Sequence, residues 1–99
     1  MGELTSQPDL LVSHNPSSNR FEIDLGDSVA ILEYEIRDNE ILFLHTETPP
    51  KHEGKGIGSR LARAGLDYAR DYHYRVVPLC SFIAVYISRH PEYQSLLAK

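Results

Sequence analysis

The sequence predicts an α+β domain built on one mixed sheet, and three observations lead to this prediction. Polar and apolar residues alternate through most of residues 20–48, as in strands that bury one face. An amphipathic helix is expected over residues 57–72, directly after a glycine-rich loop. A further apolar run follows this helix, so the helix is expected to link two parallel strands. The predicted order is β-β-β-β-α-β-α-α.

Four strands are predicted before the first helix, and turn-forming residues separate them. The expected strands cover residues 10–14, 20–24, 28–36 and 40–48. In the third strand, Ala30, Leu32 and Tyr34 are expected to share one face. The fourth strand carries apolar residues on both faces, which is typical of a covered central strand. Its predicted faces are Ile41, Phe43 and His45 on one side, and Leu42, Leu44 and Thr46 on the other.

The first helix is predicted from an apolar stripe that recurs every three or four residues. The stripe comprises Ile57, Leu61, Ala64, Tyr68 and Tyr72, with Leu66 and Ala69 beside it. Gly65 lies inside the helix, where glycine costs about 1 kcal/mol relative to alanine. We therefore expect this position to stay small so that the helix can pack closely on the sheet.

One strand and two helices complete the predicted order. The strand covers Tyr74–Cys80, and Pro78 within it indicates an edge strand because proline cannot donate to the ladder. A helix over residues 82–89 is expected to have Ser81 as its N-cap, and a short helix over residues 92–97 follows Pro91.

Length and composition favour a small soluble protein. Residues 10–99 are expected to form a single domain, after a disordered segment at residues 1–9. The net charge of −4 argues against a nucleic-acid partner, since such domains are usually basic. No apolar run reaches the roughly 18 residues of a membrane span, and no signal peptide is recognised. A lone cysteine fits a reducing compartment, so we expect a cytoplasmic protein. We also expect a monomer or a weak homodimer. The scattered histidines predict no metal site.

The loop before the first helix carries glycine at three alternate positions, Gly54, Gly56 and Gly58. The first amides of a helix have no internal partner and lie at the positive end of its dipole, which makes them a phosphate site. A P-loop would require Lys-Ser or Lys-Thr after the glycines, and a dinucleotide fingerprint would require the third glycine one residue later. An ordinary glycine-rich turn between strand and helix explains the pattern equally well.

The loop also fits Gln/Arg-x-x-Gly-x-Gly/Ala, the pyrophosphate loop of GNAT-superfamily acyltransferases, except that Lys51 takes the first place. Other segments extend the likeness over about residues 20–97. These are His45-Thr46-Glu47, Gly54 to Leu61, Val77 to Phe82, Tyr86, and Arg89 to Tyr93. Together they resemble the small YjdJ-type subgroup of GNAT-like acetyltransferases. The resemblance implies a minimal GNAT-like fold: a mixed, mostly antiparallel sheet, a β-α-β crossover that binds acetyl-CoA, and C-terminal helices.

The resemblance also implies which residues form the site. In GNAT folds the pantetheine arm enters a gap between the strand before the loop and the strand after the helix. The residues expected to bind the cofactor are Thr46, Thr48, Lys51, Glu53, Gly54, Lys55, Gly56, Ile57, Gly58, Ser59 and Cys80. The expected catalytic residues are Cys80, as nucleophile or acid, His45, as base or orienting group, and Glu47, which could orient the amine. The alternatives are a cysteine that only lines the pocket and a histidine that only packs.

Two departures from the larger superfamily bear on activity. The two helices that usually wall the acceptor site are absent, so that site is expected to be open. The usual Asn and Tyr after the last parallel strand are also unmatched, and Tyr86 is out of register. The favoured function is N-acetylation of an amine, either a small molecule or a protein group. The alternatives are a CoA-binding module with little turnover and a partner-binding domain with an acidic surface.

Overall fold

A computed structural model describes residues 11–98. The disorder predicted for residues 1–9 lies outside the described part of the chain. The strands are β1 Val12–Asn15, β2 Arg20–Asp24, β3 Val29–Arg37, β4 Glu40–Glu47 and β5 Arg75–Pro78. The helices are α1 Ile57–Asp71 and α2 Ser81–Arg89, with 3₁₀ turns at Pro16–Ser18, Pro50–His52 and Pro91–Leu96.

The five strands form one sheet in the order β1-β2-β3-β4-β5. The first four are antiparallel neighbours, and β5 returns parallel to β4 after the α1 crossover. The predicted α+β class and mixed sheet are therefore confirmed. As Pro78 indicated, β5 is an edge strand, and the Ala98 amide donates to the Val76 carbonyl oxygen at 2.9 Å on its outer side.

Helix α1 covers one face of the sheet, and the two elements share the main core. The largest fully buried side chains are Phe43, Ile23, Leu32, Ile41, Ile57, Leu61, Leu66, Ile83, Ile87 and Val76. The face of α1 differs from the predicted stripe. Its buried residues are Ile57, Leu61, Ala62, Gly65, Leu66 and Ala69. Tyr72 is 63% exposed because the helix ends at Asp71 and the chain turns away at His73, which has a φ of 63°.

Gly65 lies directly against the sheet, as predicted. A Cβ atom at this position would lie 2.8 Å from Leu32 Cδ2 and 2.9 Å from Phe43 Cε1. Both side chains are fully buried, so neither can move aside without disturbing the core.

A β-bulge in β4 overturns the predicted faces of that strand. Phe43 pairs with Tyr34, whereas His45 pairs with Glu33, so Leu44 is the extra residue. Directly paired residues share a face of the sheet. Thr46, which pairs with Leu32, therefore lies on the face covered by α1, and His45 lies on the other face. The prediction was wrong beyond Phe43 because one inserted residue reverses the alternation.

Three predicted features near the C-terminus also differ in the structure. Strand β5 ends at Pro78, after which the Leu79 amide donates back to the Val77 carbonyl oxygen at 3.1 Å. Cys80, not Ser81, is the N-cap of α2, and Ser81 is its first helical residue. The last predicted helix is a 3₁₀ segment.

A histidine is packed among aromatic rings at the β1 side of the core. His14 stacks on Phe21 with ring centroids 4.3 Å apart, and its Nε2 lies 2.6 Å from the Tyr34 hydroxyl. The Tyr68 ring packs against His14 in a T-shaped arrangement, with ring centroids 4.6 Å apart. Burial lowers the pKa of His14 below its ordinary value, so the fold favours the neutral imidazole.

We expect this packing to make stability fall in mild acid. The unfolded chain binds a proton at His14 more readily than the folded chain, so the stabilisation is complete above a pH of about 6.5 and declines as the pH falls below it. Urea unfolding at a series of pH values from about 8 to 5 checks this for the wild type and for His14→Gln. The variant should lose less stability than the wild type over that range; an identical pH dependence would contradict the assignment.

Candidate functional site

A cavity of about 310 Å³ lies beside the glycine loop and opens where β4 ends. Four segments surround it: the end of β4, the loop, the first turn of α1 and the first turn of α2. Its lining residues are Thr46, Thr48, His52, Glu53, Gly54, Gly56, Ile57, Gly58, Ser59 and Phe82. Eight of the eleven predicted cofactor-binding residues are among them. Lys51, Lys55 and Cys80 are not.

The glycines of the loop have two different physical roles. Gly54 and Gly56 have φ angles of 85° and 76°, in the left-handed region that side chains disfavour. A Cβ atom on either would meet nothing within 4 Å, so the backbone conformation, and not space, requires glycine. At Gly58 a Cβ atom would lie 2.8 Å from Phe82 Cζ, so this glycine allows α2 to approach α1.

The first turn of α1 presents main-chain donors to the cavity. Gly56 is the N-cap of the helix, and no side chain caps this end. The first amide that bonds back to the Gly56 carbonyl oxygen is that of Arg60, at 3.1 Å. The amides of residues 57–59 therefore have no acceptor within the helix. Ile57 is only 2% exposed, so it offers the cavity its backbone and buries its side chain in the core. This arrangement can bind an anionic group.

The cationic side chains of the loop are drawn to the β2–β3 turn instead. Lys51 Nζ lies 2.7 Å from Asp27 Oδ2, and His52 Nε2 lies 2.9 Å from Asp27 Oδ1. Hydrogen bonds from Lys51 and His52 hold the pKa of Asp27 well below its ordinary range. In return, Asp27 raises the pKa of Lys51. Lys55 Nζ lies 3.4 Å from His52 Nδ1, so the loop carries a connected polar network.

The ladder between β4 and β5 ends at its last paired residues, Phe43 and Pro78. Beyond this pair, the Cys80 amide donates to the Phe43 carbonyl oxygen at 2.9 Å. Cys80 Sγ lies 3.2 Å from Thr46 Oγ1. The cysteine therefore contacts a cavity-lining residue and is half-buried at the N-terminus of α2.

The structure places the other two predicted catalytic residues on the opposite face of the sheet. His45 Nε2 lies 3.4 Å from Glu47 Oε1, and both side chains are more than half exposed to solvent. The bulge separates this pair from Thr46 and Cys80, although Thr46 lies between them in sequence. Cys80 and the His45–Glu47 pair thus lie on either side of β4.

Sequence reasoning assigned no role to three residues of this region: His52, Phe82 and Asp27. The role of Phe82 could have been predicted, since it is an aromatic residue in the first turn of the helix that follows the last strand. It also lines a second cavity of about 110 Å³ beside Tyr86 and His90. Asp27 had no such signal because it lies 24 residues before its partner Lys51.

Residues 11–98 include no helix of the length and apolarity that a membrane span needs. The same residues bring together no group of three side chains suited to hold a metal ion.

Comparisons with known proteins agree on the family. The profile of the GCN5-related N-acetyl-transferase family matches residues 20–96. Protein NATD1 of Homo sapiens is 30% identical over 99 residues, covering 97% of this chain and 88% of its own. Protein NATD1 of Mus musculus is 32% identical over 88 residues, covering 86% and 80%.

A solved structure shows the same architecture. The solution structure of a GCN5-like protein from Staphylococcus aureus superposes with a TM-score of 0.67 at 25% identity, covering 93% of this chain and 91% of that chain. This likeness confirms the predicted GNAT-like fold. The family match spans most of the chain. The chain therefore belongs to the GCN5-related N-acetyltransferase family.

Proposed function

We propose that this protein is an acetyl-CoA-dependent N-acetyltransferase of the YjdJ type, which transfers an acetyl group to an amine. The observation that carries the proposal is the cavity at the N-terminus of α1, where the bare amides of the first turn lie beside the end of β4. The family uses acetyl-CoA generally, and this chain has the features needed to hold its diphosphate.

The diphosphate fits the main-chain donors better than any side chain of the loop. The amides of residues 57–59 and the open backbone at Gly54 and Gly56 face the cavity without side chains to obstruct them. A helix N-terminus favours anions through its unpaired amides and its dipole. Lys55 adds a nearby positive charge, whereas Lys51 is held at Asp27.

Cys80 is the proposed catalytic residue on the cofactor side. When bound, acetyl-CoA supplies an activated acetyl thioester. The attacking amine forms a bond to the acetyl carbon, the C–S bond breaks, and the departing thiolate takes up a proton. Cys80 either donates that proton or first accepts the acetyl group on Sγ. The Thr46 hydroxyl, 3.2 Å from Sγ, orients the thiol in both cases.

His45 and Glu47 are proposed to serve the acceptor on the opposite face. An amine must lose its proton before it can attack, and an imidazole beside a carboxylate is suited to receive it. The carboxylate of Glu47 also attracts a cationic amine before deprotonation. Both side chains are exposed, so an acceptor can reach them from solvent.

The first test is calorimetric titration with acetyl-CoA, using Gly56→Ala as the variant. A side chain at Gly56 strains the backbone by about 1–3 kcal/mol and projects into open space at the cavity. We expect the dissociation constant to rise by about tenfold or more. S-Acetylpantetheine, which lacks the diphosphate, provides the control, since its turnover should be unchanged. Wild-type protein that fails to bind acetyl-CoA at millimolar concentration would end the proposal.

A second function, a CoA-binding module with little turnover, is favoured by one observation. The face of β4 that carries His45 and Glu47 is open to solvent, so the described residues provide few walls to hold an acceptor. Release of free thiol from acetyl-CoA with a panel of amines separates the two functions. Binding without amine-dependent release across small amines and peptide amines would favour the module.

A further inference from the structure

Asp27 is the point at which the glycine loop is attached to the rest of the fold. Its carboxylate accepts hydrogen bonds from Lys51 Nζ, His52 Nε2 and the Ser28 hydroxyl, at 2.7, 2.9 and 2.9 Å. The His52 side chain is 13% exposed, whereas that of Lys51 is 75% exposed. The enclosed contact with His52 is therefore the one that best resists competition from water.

The network fixes the tautomer of His52. An ionised carboxylate can only accept hydrogen bonds, so the contact with Asp27 Oδ1 at 2.9 Å requires His52 Nε2 to carry the ring proton. Lys55 Nζ lies 3.4 Å from the other ring nitrogen, Nδ1. Lys55 lies between the two left-handed glycines, and His52 itself lines the cavity. The chain of contacts thus runs from the β2–β3 turn to the middle of the loop.

We propose that Asp27 is a positioning residue that holds the glycine loop in its binding conformation before the cofactor arrives. The inference rests on the proposed function. Glycine loses more conformational freedom on ordering than any other residue, and this loop contains Gly54 and Gly56 at alternate positions. A contact that orders the loop beforehand lowers the entropic cost of binding. Asp27 acts through Lys51 and His52, and it has no role in the chemical step.

The distinguishing experiment compares Asp27→Asn with the wild type. Asparagine keeps the size of the side chain but removes the charge that attracts Lys51. We expect the dissociation constant of acetyl-CoA to rise about three- to tenfold while kcat at saturation is unchanged. Asp38→Asn is the matched control. It makes the same change in an exposed turn between β3 and β4, at a φ of 55° that asparagine tolerates, and should alter neither quantity.

A second measurement reports on the loop without any ligand. The ¹⁵N resonances of the His52 ring distinguish its tautomers, and the wild type should show the proton on Nε2. Asp27→Asn should shift this equilibrium, and Asp38→Asn should not. If Asp27→Asn binds acetyl-CoA as well as or better than the wild type, the positioning role is overturned and the proposed function stands. If the wild type binds no acetyl-CoA, the proposed function and the positioning role of Asp27 are both overturned. An unchanged His52 tautomer in Asp27→Asn would overturn only the attachment of the loop through Asp27.

Discussion

Replacing Gly65 with alanine should destabilise the protein, although alanine is the better helix former. The added methyl group would lie 2.8 Å from Leu32 and 2.9 Å from Phe43, two fully buried side chains. Overpacking of this kind costs about 1–3 kcal/mol, while the gain in helix propensity is about 1 kcal/mol. We expect a net loss of up to about 2 kcal/mol in the free energy of unfolding, with a melting temperature lower by up to roughly 16 °C. Urea and thermal unfolding measure both.

Gly58→Ala is the matched control for this prediction. It makes the same substitution in the same helix, and its methyl group would also lie 2.8 Å from a neighbouring atom. That atom belongs to the ring of Phe82, which is 41% exposed and can rotate away. Gly58→Ala should therefore leave the stability unchanged or raise it slightly. If Gly65→Ala proves as stable as Gly58→Ala, the close contact between α1 and the sheet does not limit that position.

Replacing Cys80 with alanine should lower kcat by about a hundredfold or more while acetyl-CoA binding changes little. Removing a proton donor or nucleophile from the site of bond cleavage typically costs this much. The cysteine side chain lies outside the residues that line the main cavity, so its loss should not disturb the phosphate site. Thiol release measures kcat, and calorimetry measures the dissociation constant.

The two roles open to Cys80 give different products before the amine is added. If Sγ accepts the acetyl group, wild-type protein that is incubated with acetyl-CoA alone and then quenched should carry the acetyl group on Cys80, as detected by mass spectrometry. If the thiol acts only as an acid, no acetylated peptide forms, yet Cys80→Ala is still slow. Thr46→Val removes the hydroxyl 3.2 Å from Sγ and should reduce kcat by less than Cys80→Ala does. Full turnover in Cys80→Ala would show that the cysteine has no catalytic role.

The regular parts of the fold could be predicted from the sequence because each follows from a local period. The alternation in β3 correctly places Ala30, Leu32 and Tyr34 in the core. Gly65 was correctly expected at a close helix–sheet contact. The run of loop glycines indicated where the cavity lies, since their spacing reflects a local backbone requirement. These features need no knowledge of distant residues.

The parts that were missed depend on contacts between distant segments. No glycine or proline in the sequence signals the bulge at Leu44. The bulge appears only when β4 is paired with β3. The bonds from Asp27 to Lys51 and His52 join residues 24 and 25 positions apart. The end of α1 was placed one residue too late because Tyr72 continues the apolar spacing while its backbone has already left the helix.

The bulge also makes the length of β4 as important as its composition. Between Phe43 and Thr46 the strand has one residue more than a regular ladder would need. If Leu44 were paired with Glu33 in a regular ladder, His45 would turn toward the buried layer and Thr46 toward solvent. Deleting Leu44 would instead restore strict alternation and leave both side chains on their present faces. The extra residue, and not the order of residue types alone, therefore decides which side chains of β4 lie on the cavity side of the sheet.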